Sequence, residues 1–189
     1  MKHITTVALL LNIGVAGVYA NEKPVTLTFS GNGQSGSAIN LQQPNTTNGE
    51  ENVVGTGTLG AFTFRNISAD ATSPQSSNTC SGPNKAFFPR VAGAGIFRFE
   101  DGSLLNVTLT QGGDCINFAA NEGNCTLTFQ INGGTGRFKD ASGTLTYTET
   151  ALPVLTDALG NPVYFTETGD ITGAIYGVAE KEEHPGEQQ

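Results

Sequence analysis

The chain has no tryptophan, a single methionine, and only 9 lysines and arginines against 17 aspartates and glutamates. So few basic residues leave no electrostatic footprint for nucleic acid or an anionic membrane surface. Its two histidines, His3 and His184, both lie in terminal segments. A Ser-His-Asp triad or a histidine-based zinc site is therefore unsupported, and no metal or cofactor is expected. Charged residues make up 14 % of the chain, and no window sustains a 3.6-residue apolar period, so little helix is expected. Beyond the first twenty residues, no apolar run approaches the ~20 residues a membrane helix needs.

The chain is instead rich in glycine, 25 of 189 residues, and in threonine. That composition suits β-strands joined by tight turns. Residues 1–20 read as a signal peptide: Lys2 and His3 lead an apolar run from Val7 to Val18, and Val18-Tyr19-Ala20 offers a small-residue cleavage site. Losing Lys2 leaves 8 basic against 17 acidic residues, a net charge of −9. The expectation is an acidic protein, secreted or periplasmic, with no membrane attachment after cleavage. Residues 21–178 read as one β-domain and residues 179–189 as a disordered polar tail. In an oxidising compartment three cysteines imply one disulfide and one spare thiol. Cys115 and Cys125 are closest in sequence and are the expected pair, with Cys80–Cys115 the alternative.

Val25, Leu27 and Phe29 alternate with Thr26, Thr28 and Ser30, the pattern of a half-buried strand. Residues 31–51 and 66–90 are polar and read as long loops flanking a glycine-bent strand, Val53 to Arg65. Ile96 to Gln111 reads as a hairpin about Asp101-Gly102 in a type I′ turn, which places apolar residues on both faces. Cys125–Ile131, Thr144–Thr150, Val163–Thr168 and Ile171–Val178 are further strands, with 151–162 a connection. Seven or eight strands at this spacing fit an up-and-down barrel or a sandwich.

Between two of these strands lies Gly133-Gly134-Thr135-Gly136-Arg137-Phe138-Lys139-Asp140-Ala141-Ser142-Gly143. No Lys-Ser/Thr follows the glycines and no helix is signalled, so this is not a phosphate loop. It reads as a turn with Phe138 plugging the core and Arg137 and Lys139 in solvent. The spacing of Gly133, Gly134, Thr135, Gly136, Phe138, Ala141 and Gly143, with the earlier phrase Gly95 to Gly102, resembles the dirigent and allene oxide cyclase-like barrel superfamily, in its secreted bacterial form. The resemblance runs from about Gly93 to Gly143. It implies an all-β, calycin-like, eight-stranded antiparallel barrel, often a trimer, with an apolar cavity that orients a small ligand. Where plant members commonly carry arginine after the alanine this chain has Ser142, so their activity is not carried over.

With histidine unavailable, proton chemistry falls to carboxylates and tyrosine. Pairing Glu149 with Val163 places Leu145, Tyr147, Val163 and Phe165 on one face, bounded at opposite ends by Glu149 and Glu167. Tyr147, Glu149 and Glu167 are the candidate catalytic residues; Phe165 and Arg98 are candidate ligand contacts, with Arg98 also a candidate partner of Glu100. The expected function is binding or orienting a small apolar ligand. The alternatives are an isomerase or cyclase acting in the cavity, and an extracellular structural or interaction protein whose barrel is filled.

Overall fold

A computed structural model describes residues 21–36, 41, 43–158 and 160–179. The expected signal peptide, and the tail from residue 180 onward, lie outside these residues. Eight strands follow in order: β1 Lys23–Gly36, β2 Thr46–Gly57, β3 Phe62–Ala71, β4 Lys85–Phe99, β5 Leu104–Asn117, β6 Glu122–Gly134, β7 Ser142–Thr156 and β8 Pro162–Tyr176. Each pairs antiparallel with the next, and β8 pairs with β1 to close the barrel. This is the all-β, eight-stranded antiparallel barrel expected.

Strict alternation sets the inside. Val25, Leu27 and Phe29 of β1, Phe62 and Phe64 of β3, Phe97 and Phe99 of β4, and Leu127, Phe129 and Ile131 of β6 are all buried, whereas Thr26, Thr28, Thr126, Thr148, Thr168 and Thr172 between such positions are exposed. An apolar interior behind a threonine-rich wall is the reverse of a membrane-spanning barrel, whose apolar band faces out.

One end is sealed by the glycine-rich motif. β6 runs through Gly134, then Gly136–Phe138 forms a single 3₁₀ turn that drives Phe138 to complete burial. Gly134 lies against β5 so closely that a Cβ there would overlap the Leu104 carbonyl, and Gly136 has φ +58°, open to glycine at little cost. Arg137 is not free in solvent. Its guanidinium lies 4.6 Å from the Phe138 ring centroid and 5.0 Å from that of Phe99, donates to the Leu59 carbonyl at 2.5 Å and pairs with Asp101 at 3.1 Å. It straps three turns over the plug.

Several boundaries and registers differ from the sequence reading. The presumed loops 31–51 and 66–90 are strand at both ends: β1 reaches Gly36, β2 begins at Thr46, β3 ends at Ala71 and β4 begins at Lys85. A turn at residues 58–61 splits the glycine-bent segment into β2 and β3. The presumed connection 151–162 extends β7 to Thr156, and Gly169-Asp170 interrupts nothing, since β8 is continuous.

The hairpin turn carries three residues, not two. Gly102 N–H donates to the Phe99 carbonyl at 2.9 Å and Phe99 N–H to that of Ser103 at 3.0 Å, with Gly102 at φ +80°. The extra residue pairs Phe97 with Leu105. Phe97, Phe99, Leu105 and Val107 then all point inward, and Ile96 is left exposed on the outer face.

The expected Cys115–Cys125 bridge is overturned: the disulfide joins Cys80 to Cys115 and leaves Cys125 free and buried. Asp114 is the residue opposite Cys125, and Cys115 faces Asn124. Side chains alternate across a strand, so Cys115 and Cys125 lie on opposite sides of the wall. The bridge instead pins the 72–84 segment to the outside of β4 and β5, beside a β-bridge between Gln75 and Phe87.

Candidate functional site

The interior divides into two halves. Toward the sealed end, aromatic rings fill the barrel: Phe64 stacks on Phe97 at 4.1 Å between centroids, Phe29 on Tyr147 at 4.5 Å, and Phe99 meets Phe138 at 4.8 Å. Toward the other end the same inward rows turn polar. Glu51 follows Val53 on β2, Asn66 and Ser68 follow Phe64 on β3, Glu149 follows Tyr147 on β7, and Glu167 lies two residues before Gly169 on β8. All five side chains are buried.

Arg90 of β4 is the centre of this chamber and the only buried basic residue among those described. A β-bulge shifts the register between Ala69 and Asp70, so that Asp70 pairs with Arg90. The guanidinium grips Asp114 of β5 with two hydrogen bonds, 3.1 Å from Nε and 2.9 Å from Nη2. It also contacts Glu51, Glu149 at 3.3 Å and Asp70 at 3.6 Å. Burial works against its charge, but Asp114, Glu51 and Asp70 outweigh that and raise its pKa further. Four strands thus present acids to one arginine.

The structure gathers the three candidate catalytic residues in this chamber, in a different arrangement from the one expected. Glu149 pairs with Gly169, not Val163, and Ala151 pairs with Glu167. The two glutamates are therefore diagonal neighbours at one end rather than sentinels at opposite rims. Tyr147 donates to Glu167 at 3.5 Å. Burial, then the Glu51 carboxylate and the Glu167 carboxyl, pushes Glu149 well above the usual carboxyl range. Glu167 is pushed up to about 7, chiefly by burial, with Glu51 adding to it. Burial also raises the Tyr147 hydroxyl and the Cys125 thiol well above their ordinary values, so neither is an anion at neutral pH.

Phe165 is half-buried beside Gly33, where only a glycine leaves room for its ring. It lies two residues before Glu167 on β8, farther from the aromatic plug. Arg98 lies on the exposed outer face of β4, away from the interior. A shallow recess of about 250 Å³ lies against the β6–β7–β8 wall, lined by Thr126, Thr148, Thr168 and Asp170 together with Cys125 and Glu149.

Sequence reasoning missed Glu51, Asn66, Asp70, Arg90 and Asp114. The usable signal was the phase of Glu51, two residues before Val53 and so on the same face. Asp70, Arg90 and Asp114 lie beyond bulges or irregular pairing in β3, β4 and β5, where counting by twos loses phase.

The class of molecule is therefore a closed antiparallel barrel with one end plugged by aromatics and an acidic, arginine-centred chamber at the other. Comparison with protein-family models, with curated proteins and with solved structures returns no match.

Proposed function

We propose that this chain is an exported barrel that binds and orients a small ligand at its polar end, in the manner of the dirigent and allene oxide cyclase-like proteins its glycine-rich motif resembles. The observation that carries the reading is the segregation of the interior. Chemically versatile groups gather at one end, while Phe138 closes the other and stacked rings occupy the space between. Small barrels of this strand number hold at most one small ligand. Rings 4.1 Å apart leave no slot between Phe64 and Phe97. The ligand is therefore amphipathic: its apolar part meets Phe165 and its polar group faces Arg90, Tyr147 and the glutamates. Export is supported by the Cys80–Cys115 disulfide, which suits an oxidising compartment.

A second reading, isomerisation or cyclisation by proton transfer, is favoured by one specific contact. Tyr147 and Glu167 meet beside Glu149, a pairing of protonated and shared-proton groups suited to general acid–base work. A Glu149→Gln/Glu167→Gln variant that binds ligand and turns it over at the wild-type rate sinks that reading.

Native mass spectrometry of the exported protein tests binding directly, together with titration of a fluorescent aromatic sulfonate. The expected result is one probe per barrel, with affinity reduced at least tenfold in Phe165→Ala and unchanged in Arg98→Ala. A bare mass and no probe binding by the folded wild type would instead assign the barrel to surface interactions.

A further inference from the structure

The cluster carries more carboxyl groups than its one guanidinium can neutralise, so the balance is met by shared protons or by a bound cation. Glu51, Asp70, Asp114, Glu149 and Glu167 face a single guanidinium, and Asp114 alone already binds that guanidinium in bidentate fashion. Buried carboxylates in excess of their counter-charge are costly unless protons or a cation neutralise them. A second, independent observation concerns hydrogen bonding. Glu149 Oε2, Glu167 Oε1 and Asn66 Oδ1 are buried acceptors with no hydrogen-bond partner, whereas native interiors leave few such atoms unpaired.

We propose that the chamber holds one calcium ion, bound by carboxylate oxygens of Glu51, Glu149 and Glu167. One oxygen from each glutamate lies within 4.8 Å of the others. Ca²⁺ accepts irregular all-protein oxygen cages, whereas Mg²⁺ demands a near-ideal octahedron and keeps several of its waters. The donors are all hard oxygens, which excludes a preference for copper or zinc. Asn66 Nδ2 donates to Glu51 Oε2 at 3.1 Å. That bond holds the Glu51 carboxylate in place, and each carboxylate oxygen has lone pairs to spare after meeting Arg90 or Tyr147. Three strands, β2, β7 and β8, supply these ligands, so the ion would tie together the end of the barrel that lacks an aromatic plug. The site does not rest on the ligand reading, because a cation can be measured with no organic ligand present.

The experiment uses the exported protein stripped with chelator, at pH 8. Calorimetry should give one calcium per chain, and calcium should raise the thermal midpoint. Terbium provides a local readout because the chain has no tryptophan and Tyr147 is the only buried tyrosine among the described residues. Terbium emission under tyrosine excitation should appear, be displaced by calcium, and vanish in Tyr147→Phe while that variant still binds calcium by calorimetry. Glu149→Gln and Glu167→Gln should each weaken calcium at least tenfold, and Asp170→Asn on the outer wall should leave it unchanged. The proposal is overturned if wild type shows neither calcium heat nor a shifted midpoint at millimolar calcium. It is equally overturned if terbium emission survives Tyr147→Phe, or if a folded Glu149→Gln/Glu167→Gln protein binds calcium like wild type.

Discussion

Replacing Phe138 by alanine tests whether the glycine-rich motif is a structural plug or a binding loop. The ring is fully buried and touches Phe99 and the Arg137 guanidinium. Removing roughly 150–200 Å² of buried aromatic surface at about 25 cal/mol per Å² gives on the order of 4 kcal/mol. Losing the cation–ring contact adds about 0.5–1 kcal/mol, since Arg137 is partly exposed. Partial collapse of the single 3₁₀ turn into the vacancy reduces the total, so a loss of about 3–5 kcal/mol is expected. For a domain of this size that lowers the thermal midpoint by roughly 6–20 °C. Urea denaturation followed by circular dichroism should show the midpoint concentration falling with an unchanged slope, which locates the effect in native packing. Probe and calcium affinities of the folded fraction should stay within about threefold of wild type, because the altered end is separated from the chamber by the layer of Phe64, Phe97 and Phe129. A loss under about 1 kcal/mol, or a tenfold fall in affinity with little loss of stability, would refute the plug and restore the motif as a binding element.

Three further outcomes follow from other contacts. Cys80→Ser/Cys115→Ser opens a link spanning 35 residues, and chain entropy sets the loss at about 3–4 kcal/mol; the native protein should show no fast-reacting thiol, and peptide mapping should recover the 80–115 link with Cys125 as the one free thiol after unfolding. Asp70 is pushed up to about 6 by burial, then by Asp114 and Glu51, against the pull of Arg90 and Ser68. Its folded pKa exceeds its unfolded value, so the native state holds the extra proton, and the stability this contributes is present below pH 4 and lost as pH rises through 6; thermal midpoints in chelator should show that decline flattened in Asp70→Asn, and equal slopes would refute it. Gly134→Val forces a side chain into the Leu104 carbonyl and should cost more than about 3 kcal/mol, read by the same urea titration.

The parts of the fold most legible in the sequence are those where inward positions are apolar. Val25-Leu27-Phe29 and Leu127-Phe129-Ile131 announce their faces by simple alternation, and Phe138 reads as a plug because it is the one large apolar residue in the turn, flanked by Arg137 and Lys139. Glu149 and Glu167 were legible because Tyr147 and Ile171 keep β7 and β8 in phase around them. Even so, their mutual position differs from the expected one, since reading 151–162 as a connection puts Val163 opposite Glu149 where Gly169 belongs. The disulfide was misjudged for a related reason: nearness in sequence says nothing about which side of a wall a cysteine faces.

The chamber was hard to read for a physical reason rather than for lack of signal. Period-two reasoning recognises a strand by apolar residues on its buried face, so a strand whose buried face carries Glu51, Asn66, Ser68 or Arg90 looks like a loop. The segments read as loops, 31–51 and 66–90, contain Glu51, Asn66, Ser68, Asp70 and Arg90, which is most of the site. Here the failure of alternation is itself the site's signature. A closed barrel of eight strands has no free edges, so its strands run on into the flanking polar segments, as β1 to β4 do over 31–36, 46–51, 66–71 and 85–90. The polar residues in phase with the flanking apolar positions must then face inward. Glu51 satisfies that rule from Val53, and Asn66 and Ser68 satisfy it from Phe64. Buried, they need partners, and Arg90 is the one buried cation among the described residues. Barrel closure therefore turns a run of unpromising polar residues into an internal electrostatic site.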